Sequence, residues 1–191
     1  MEDYAQLYYT YRSKYYNACS RVNDCEAAIY DLKQSRKAVV NAINSLEKQI
    51  KKYNVNVTQL NAVLAYEEHI NTKLTAVQTK TTEAAVNYTS MVNTSDVTVK
   101  DLNDVYSEET TRTKAAISSV FEGVRSKQSA AQQMISQLQT QLNQKNADLE
   151  DIDRQISTQK NNLSSWKNSK KNYYYNMEYY KKKAKEQGQL P

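Results

Sequence analysis

The sequence predicts an all-α fold, in which three long helices form an elongated antiparallel helical bundle or coiled coil. Its 191 residues include only two glycines and one proline, so the residues that most often interrupt helices are nearly missing. Apolar residues nevertheless recur at heptad spacing along most of the chain, which a disordered chain of similar polarity would not show. These observations predict one elongated helical domain, 1–191, with helices at about 2–53, 58–93 and 100–187.

The first predicted helix keeps a heptad without a slip from Tyr4 to Tyr53. We call the a and d positions of this heptad the seam. Every seam residue except Arg36 is apolar or aromatic, which is typical of a long coiled-coil helix. In order, the seam positions are Tyr4, Tyr8, Tyr11, Tyr15, Ala18, Val22, Cys25, Ile29, Leu32, Arg36, Val39, Ile43, Leu46, Ile50 and Tyr53.

Residues 54–58 combine Asn with β-branched residues, which predicts a turn in which Thr58 caps the next helix. A weaker heptad follows and ends at the turn-like residues 93–96. Thr98 and Asp101 then resemble a weak capping box before the third helix. The second heptad consists of Val63, Glu67, Ile70, Leu74, Val77, Thr81, Ala84, Tyr88 and Met91.

The third helix has the longest heptad, and Gly123 is its only glycine. This glycine can mark a kink or a turn, but the heptad passes through it in register, which favours a continuous helix. Its a positions are Phe121, Gln128, Ile135, Leu142, Leu149, Ile156, Leu163, Lys170, Met177 and Ala184. Its d positions are Ile117, Val124, Ala131, Leu138, Lys145, Ile152, Gln159, Trp166, Tyr173 and Tyr180.

Two arrangements of the helices fit these patterns. In the first, the first helix pairs antiparallel with the C-terminal half of the last, so that the termini meet; a kink at Gly123 favours this arrangement. In the second, three straight helices run up, down and up, and the two ends lie far apart. The first arrangement predicts the pairs Tyr4 with Tyr180, Tyr11 with Tyr173 and Cys25 with Gln159. It also predicts Arg36 between Lys145 and Leu149, within reach of Asp148.

No residue set indicates catalysis, a metal site or a cofactor. His69 is the only histidine, and neither Cys19 nor Cys25 lies at metal-ligand spacing from it. The two cysteines are six residues apart, so on one helix they point in different directions, and we expect them to be reduced thiols. The sequence therefore predicts a protein that is not an enzyme.

Eleven of the 16 tyrosines lie in residues 4–16 and 173–180. Rings outside the seam predict contact with another protein or a lipid interface, although partly exposed, inert tyrosines remain the alternative. Residues 167–191 also carry a net charge of +5, which equals that of the whole chain. With Trp166, this basic end also fits an amphipathic helix on an anionic membrane surface, whereas nucleic acid is a less favoured partner. The predicted contact residues are Tyr8, Tyr9, Tyr15, Tyr16, Tyr174, Tyr175 and Tyr179.

The sequence begins without a Sec-type signal peptide, and no stretch approaches the roughly 18 apolar residues of a membrane span. We therefore expect a cytoplasmic protein, with export by a route that cleaves no signal peptide left open.

Several features together resemble a known group of proteins. They are the signal-less start at Met1, a Tyr-rich first helix with Cys25 in its seam and a long final helix rich in Gln, Asn and Leu. The segment from Tyr174 to Glu178 fits a Tyr-x-x-x-Asp/Glu export signal, and the segment from Phe121 to Gly123 resembles a Trp-x-Gly turn with Phe in place of Trp. On these features the chain resembles the helical partner proteins of type VII (Esx-type) secretion in Gram-positive bacteria, within the Trp-x-Gly superfamily that includes proteins associated with LXG toxins.

The resemblance implies a non-enzymatic partner that binds the helical targeting domain of a larger toxin and helps it reach the secretion machinery. A second small helical protein is a further candidate partner. The alternative that the residues themselves leave open is a structural coiled coil whose basic aromatic C-terminal helix binds an anionic membrane surface.

Overall fold

The computed structural model describes residues 3–92 and 97–191. Helix α1 comprises Tyr4–Leu64, α2 comprises Glu67–Val92 and α3 comprises Val97–Glu186. Within the described ranges there is no strand, which confirms the all-α prediction. The predicted turn at residues 93–96, and the side chains of Met91, Thr98 and Asp101, lie outside what the structure describes.

Helices α1 and α2 are one long helix with a bend, so residues 3–92 and 97–191 form two long helices and not the predicted three. Only Ala65 and Tyr66 separate the two segments. The Ala65 amide still donates to the Asn61 carbonyl at 3.0 Å, and the Tyr66 amide donates to the Val63 carbonyl at 3.1 Å. The second bond spans three residues in place of four, so the backbone tightens locally and the helix bends there without ending.

The predicted break at residues 54–58 is wrong, because this segment is helical. The Thr58 hydroxyl donates to the Asn54 carbonyl at 3.0 Å, a bond that a threonine inside a helix can make with the preceding turn. The seam also continues in phase beyond Tyr53, with Val57, Leu60 and Leu64 all half-buried. Packing of the seam thus outweighs the local preference for a turn.

The heptad predicted for α2 is only half correct. Glu67, Ile70, Leu74 and Thr81 are half-buried as predicted, but the other described members are exposed. The exposed members are Val63, Val77, Ala84 and Tyr88. Leu64, Gln78 and Ala85 are half-buried in their place, at positions in phase with the α1 seam, whereas just after the bend Ile70 is half-buried and the in-phase Asn71 is exposed.

The α3 heptad is confirmed in full, since every predicted seam position from Ile117 to Ala184 is buried or half-buried. Gly123 lies inside α3, so the predicted continuous helix is confirmed. The match of residues 121–123 to a Trp-x-Gly turn does not form a turn, and Phe121 is instead a seam residue that is only 5% exposed. All the buried apolar residues of the described chain occupy predicted seam positions.

The chain divides into two compact units, which we call the terminal unit (Met1–Ser45 and Gln141–Pro191) and the central unit (Leu46–Thr140). In the terminal unit, α1 and α3 run antiparallel. The ring centroids of Tyr4 and Tyr180 lie 6.4 Å apart, and those of Tyr11 and Tyr173 lie 6.3 Å apart. These predicted pairs are confirmed, and the arrangement that separates the two tyrosine clusters is wrong. The antiparallel pairing of α1 with α3 in this unit does not require the chain to reverse at Gly123, because α3 is continuous there.

The predicted partner of Arg36, Asp148, is wrong. The Arg36 guanidinium donates to Asp153 from Nε at 2.7 Å and from Nη2 at 3.3 Å, whereas Asp148 accepts from Lys145 at 2.8 Å. Long side chains reach along the helix axis, so partners differ by roughly one turn from the residues directly opposite. Tyr11 shows the same behaviour, because its ring contacts Tyr180 as well as Tyr173.

In the central unit, α3 runs antiparallel to the bent first helix. The Lys114 ammonium donates to the Gln78 side chain at 2.8 Å, and Arg125 forms an ion pair with Glu67. Phe121 and Ala131 are buried here. The seam of this unit therefore includes polar residues, among them Glu67 and Gln78, beside its buried apolar ones.

The two ends of the chain are capped together within the terminal unit. Gly188 has a φ of 66°, and the Gln189 amide donates to the Ala184 carbonyl at 2.8 Å, as in a Schellman cap. The side-chain oxygen of Gln189 then accepts from the amides of Tyr4 and Ala5 at 2.8 and 3.2 Å. The end of α3 therefore supplies an acceptor to amides in the first turn of α1.

The two glycines should respond oppositely to alanine. Gly123 is inside α3 and an added Cβ would meet nothing within 4 Å, so Gly123→Ala should raise the free energy of unfolding by about 1 kcal/mol. Gly188→Ala should lower it by about 1 kcal/mol, because alanine is strained at positive φ. Thermal denaturation followed by circular dichroism measures both. A destabilised Gly123→Ala variant would contradict a continuous helix.

The Arg36–Asp153 ion pair should make the free energy of unfolding depend on pH. The hydrogen bond from Arg36 lowers the pKa of Asp153 below its ordinary value of 3.8. A carboxyl with a lowered folded pKa contributes stability above its unfolded pKa and loses it as the pH falls through the folded pKa. Asp153→Asn should therefore be less stable than the wild type near neutral pH, and the difference should shrink below about pH 4. Urea denaturation across this range measures it. Asp24→Asn is the control, because Asp24 makes no ion pair within the described residues.

Candidate interaction surface

Exposed tyrosines from both helices share one flank of the seam in the terminal unit. Tyr9, Tyr16 and Tyr30 occupy the same heptad position of α1 and therefore lie on one face. The Tyr15 ring, next to Tyr16, contacts the Tyr174 ring of α3 at 5.7 Å. Tyr174 in turn contacts Tyr175 at 6.0 Å. We call the surface formed by Tyr9, Tyr16, Tyr30, Tyr174 and Tyr175 the tyrosine flank.

The rings of the tyrosine flank are accessible, with exposed fractions between 44% for Tyr174 and 63% for Tyr30. Tyr8 and Tyr15 are half-buried in the seam. They support the exposed rings beside them, Tyr8 with Tyr9 at 5.1 Å and Tyr15 with Tyr16 at 5.5 Å. Tyr9 and Tyr16 are therefore backed by seam rings, and Tyr30 lies two heptads beyond Tyr16 on the same face of α1.

Six of the seven predicted contact residues meet at this flank, and Tyr179 does not. Tyr179 is 54% exposed, but its ring contacts Tyr180 at 5.1 Å. Tyr180 packs on Tyr4 and Tyr11, and the heptad position of Tyr179 places it on the opposite side of the seam. The structure thus separates Tyr179 from the other six.

Sequence reasoning missed Tyr30, which is 63% exposed and belongs to the flank. It lies outside the two dense clusters, but its heptad position is that of Tyr9 and Tyr16. Sorting the tyrosines by heptad position, and not by proximity in sequence, would have found it. Tyr66, Tyr88 and Tyr106 are equally exposed but belong to the central unit.

Cations accompany the exposed rings. The Arg12 guanidinium lies 5.8 Å from the centre of the Tyr16 ring, and the Lys171 ammonium lies 6.0 Å from that of Tyr175. These are cation–π distances, at which the ring orients the charge without neutralising it. The surface therefore offers both aromatic area and positive charge to whatever binds it.

The Tyr15 hydroxyl is held in its neutral form. A hydrogen bond with the Cys19 thiol, followed by the charge of that group, raises the pKa of Tyr15 above its ordinary value of 10.0. Cys19 is half-buried and Cys25 is buried in the seam, and both are free thiols. The edge of the flank thus has a neutral phenol and a thiol beside its charged groups.

The residues that match an export signal are both on α3. Tyr174 and Glu178 lie one helical turn apart, and Glu178 is exposed. Tyr174 also packs against Tyr15. The motif and the aromatic surface therefore share one residue.

Other parts of the described chain offer less chemistry. His69 is exposed, and within residues 3–92 and 97–191 no group of three or more His, Cys, Asp or Glu could hold a metal ion. An open groove of about 880 Å³ follows α2, but hydroxyls along it, including those of Thr72 and Thr75, donate to carbonyls of their own helix. Among the described residues, no helix is long and apolar enough to cross a membrane.

Comparison of the chain with protein-family models, with curated proteins and with solved structures found no match. The tyrosine flank is therefore the feature on which a functional proposal for this chain rests.

The two thiols should differ in reactivity. Cys19 is half-buried and Cys25 is 8% exposed in the seam, so Cys25 should react with Ellman's reagent at least about tenfold more slowly, because its reaction requires local opening. Cys19→Ser and Cys25→Ser variants report each thiol separately, and concentrated guanidinium chloride should abolish the difference. Equal rates in the native protein would contradict the assignment of Cys25 to the seam.

Proposed function

We propose that this chain is a non-enzymatic partner protein that binds the helical domain of a type VII secretion substrate of the LXG-toxin class. The observation that carries the proposal is the tyrosine flank, in which rings from two helices form one exposed surface. Such rings are well suited to helix packing, because each provides apolar area while its hydroxyl retains a polar partner.

The size of the flank is sufficient for a protein interface. Five rings that are about half exposed offer on the order of 500 Å² of surface, given roughly 200 Å² for each tyrosine. A specific interface needs about 800 Å² on each partner, so residues around the rings complete the area. Tyrosine is also among the residues that contribute most to binding energy.

The secretion context is supported by the resemblance in sequence and by the position of its export-signal match. Tyr174 and Glu178 are on the same helix as the exposed rings, and Tyr174 belongs to the flank. A partner bound at the flank would cover part of this motif. On this proposal, recognition of the toxin and presentation of the export signal involve the same surface of α3.

Binding of the basic C-terminal helix to an anionic membrane is the second candidate, favoured by the lysines at the end of α3. Part of this charge is compensated, since Lys167 pairs with Glu26 at 2.9 Å and Lys183 pairs with Glu186 at 2.9 Å. Lys182 also lies 4.0 Å from Glu186. The compensation weakens the attraction to a lipid surface and favours the protein partner.

Removing the exposed rings should weaken the complex without unfolding the protein. The variant Tyr9→Ser, Tyr16→Ser, Tyr174→Ser, Tyr175→Ser should bind the helical domain of an LXG toxin encoded beside this gene at least about tenfold more weakly. Isothermal titration calorimetry measures the affinity, and circular dichroism should show unchanged helicity. The matched control replaces the equally exposed Tyr66, Tyr88 and Tyr106 with serine and should bind like the wild type.

Two results would contradict the proposal. One is a gene neighbourhood that holds no LXG toxin. The other is salt-sensitive sedimentation of the wild-type protein with phosphatidylglycerol vesicles that is lost when Lys181, Lys182, Lys183 and Lys185 are replaced with glutamine. The second result would support the membrane function instead.

A further inference from the structure

Charge is distributed unequally between the two sides of the seam in the terminal unit. The relevant stretch is the one covered by the tyrosine flank, residues 3–33 and 157–186, in which the heptad position of each charged residue gives its side. The e and b positions lie on the side of Tyr15 and Tyr174, and the g and c positions lie on the side of Tyr11 and Tyr179. The Glu26–Lys167 ion pair joins two e positions across the helices, which places them on the same side.

The side of the tyrosine flank is strongly basic. Its cations are Arg12, Lys33, Lys160, Lys167, Lys171, Lys181 and Lys185, and its anions are Glu26 and Glu178. The opposite side carries Lys14, Arg21 and Lys183 against Asp3, Asp24, Asp31 and Glu186. Seven cations thus face two anions on one side, while three cations face four anions on the other. The net charge of this stretch is therefore concentrated where the exposed rings are.

The seam of the terminal unit is incompletely covered, and Tyr4 and Tyr11 on the opposite side are half-buried as well. Tyr8, Tyr15 and Cys19 remain half-buried between the two helices, and no large side chain of the described chain is fully buried. Two helices alone enclose an apolar seam on two sides only, whereas a third helix in the groove between them would complete its burial. The groove on the side of the tyrosine flank is lined by Tyr15 and Tyr174, whose rings already meet across it.

We propose that this groove receives one amphipathic α-helix whose apolar face is bordered by carboxylates. The proposal rests on the proposed function and adds to it the binding side, the number of helices and the charge of the partner. The span from Tyr9 to Tyr30 corresponds to about 20 residues of a parallel or antiparallel helix, or roughly 30 Å. Carboxylates at the borders of that helix would meet Arg12 and Lys171, which are already positioned beside the rings.

The charge of the surface selects the partner. Border charges mainly accelerate association and suppress partners of the wrong sign, and their effect decreases with salt. The rings and the seam supply the apolar contact, which changes little with salt. The free energy of binding an acidic helix should therefore have one contribution that depends on salt and one that does not.

The experiment uses the full chain and two synthetic helices of about 20 residues with the same leucine face. One peptide has glutamate at the border positions and the other has lysine. By fluorescence anisotropy at low salt, the glutamate peptide should bind at least about tenfold more tightly. The charge-reversal variant Arg12→Glu, Lys171→Glu should greatly reduce this preference, because it leaves five cations against four anions on this side. Equal affinity for the two peptides, or a preference that charge reversal leaves unchanged, would overturn the proposal.

Two tyrosine variants locate the peptide. Tyr16→Ser with Tyr174→Ser should weaken the glutamate peptide at least about tenfold, whereas Tyr179→Ser, an equally exposed ring on the opposite side, should change its affinity less than about twofold. Equal losses in both would contradict the assigned groove. Displacement of the glutamate peptide by phosphatidylglycerol vesicles, but not by phosphatidylcholine vesicles, would show that the groove is a lipid surface and would also overturn the proposal.

The two proposals fail separately. If the glutamate peptide binds as described but the LXG helical domain does not bind, the proposed function is wrong. The proposal that the groove binds an acidic amphipathic helix then still holds. If the LXG domain binds the wild type and the charge-reversal variant equally well, the proposed function still holds. The proposal that this groove binds an acidic helix is then wrong.

Discussion

The in-phase seam between two antiparallel helices is the constraint on which the rest of the structure depends. A heptad that keeps its phase holds the same stripe of each helix against its partner. The stripe holds the helix through residues 54–58, whose side chains favour a turn, and through the bend at Ala65 and Tyr66. Because helical propensities amount to less than about 1 kcal/mol for each residue, continuous burial can outweigh them.

The seam also explains how much of the fold could be predicted. Heptad spacing depends only on the period of the helix, so the a and d positions of α3 were predictable without a template. The pairing of Tyr4 with Tyr180 followed from laying the two stripes antiparallel. The Arg36–Asp153 pair was not predictable, because a long side chain chooses among acceptors about a turn apart and the choice depends on local rotamers. The absence of a break at Thr58 was missed for a similar reason, since sequence does not show where a hydroxyl finds its acceptor.

For the interaction surface, the tyrosines of the terminal clusters were identifiable by their departure from the seam. Their division between two sides was not, because it depends on which flank of one helix lies beside which flank of the other. The contact of Tyr15 with Tyr174 fixes that relation. Once it is known, Tyr30 joins the surface, Tyr179 leaves it and the charges separate by side. This one contact between Tyr15 and Tyr174 therefore shows on which side of the helix pair each exposed tyrosine and each charged residue lies.

The concentration of cations on one side is costly for the isolated chain. Positions that flank the seam are those where paired opposite charges stabilise coiled coils. On the side of the tyrosine flank in the described terminal unit, the bridges between the helices are Glu26–Lys167 and Arg36–Asp153, while Arg12, Lys171 and Lys181 face no anion at bridging distance there. Like charges on neighbouring positions repel and lower stability by a few tenths of a kcal/mol for each pair. Exposed rings beside them add unburied apolar area that a monomer does not need. Both departures from an optimal two-helix surface occur on the same side, which is what a binding site for an acidic helix requires and what a purely structural coiled coil would avoid.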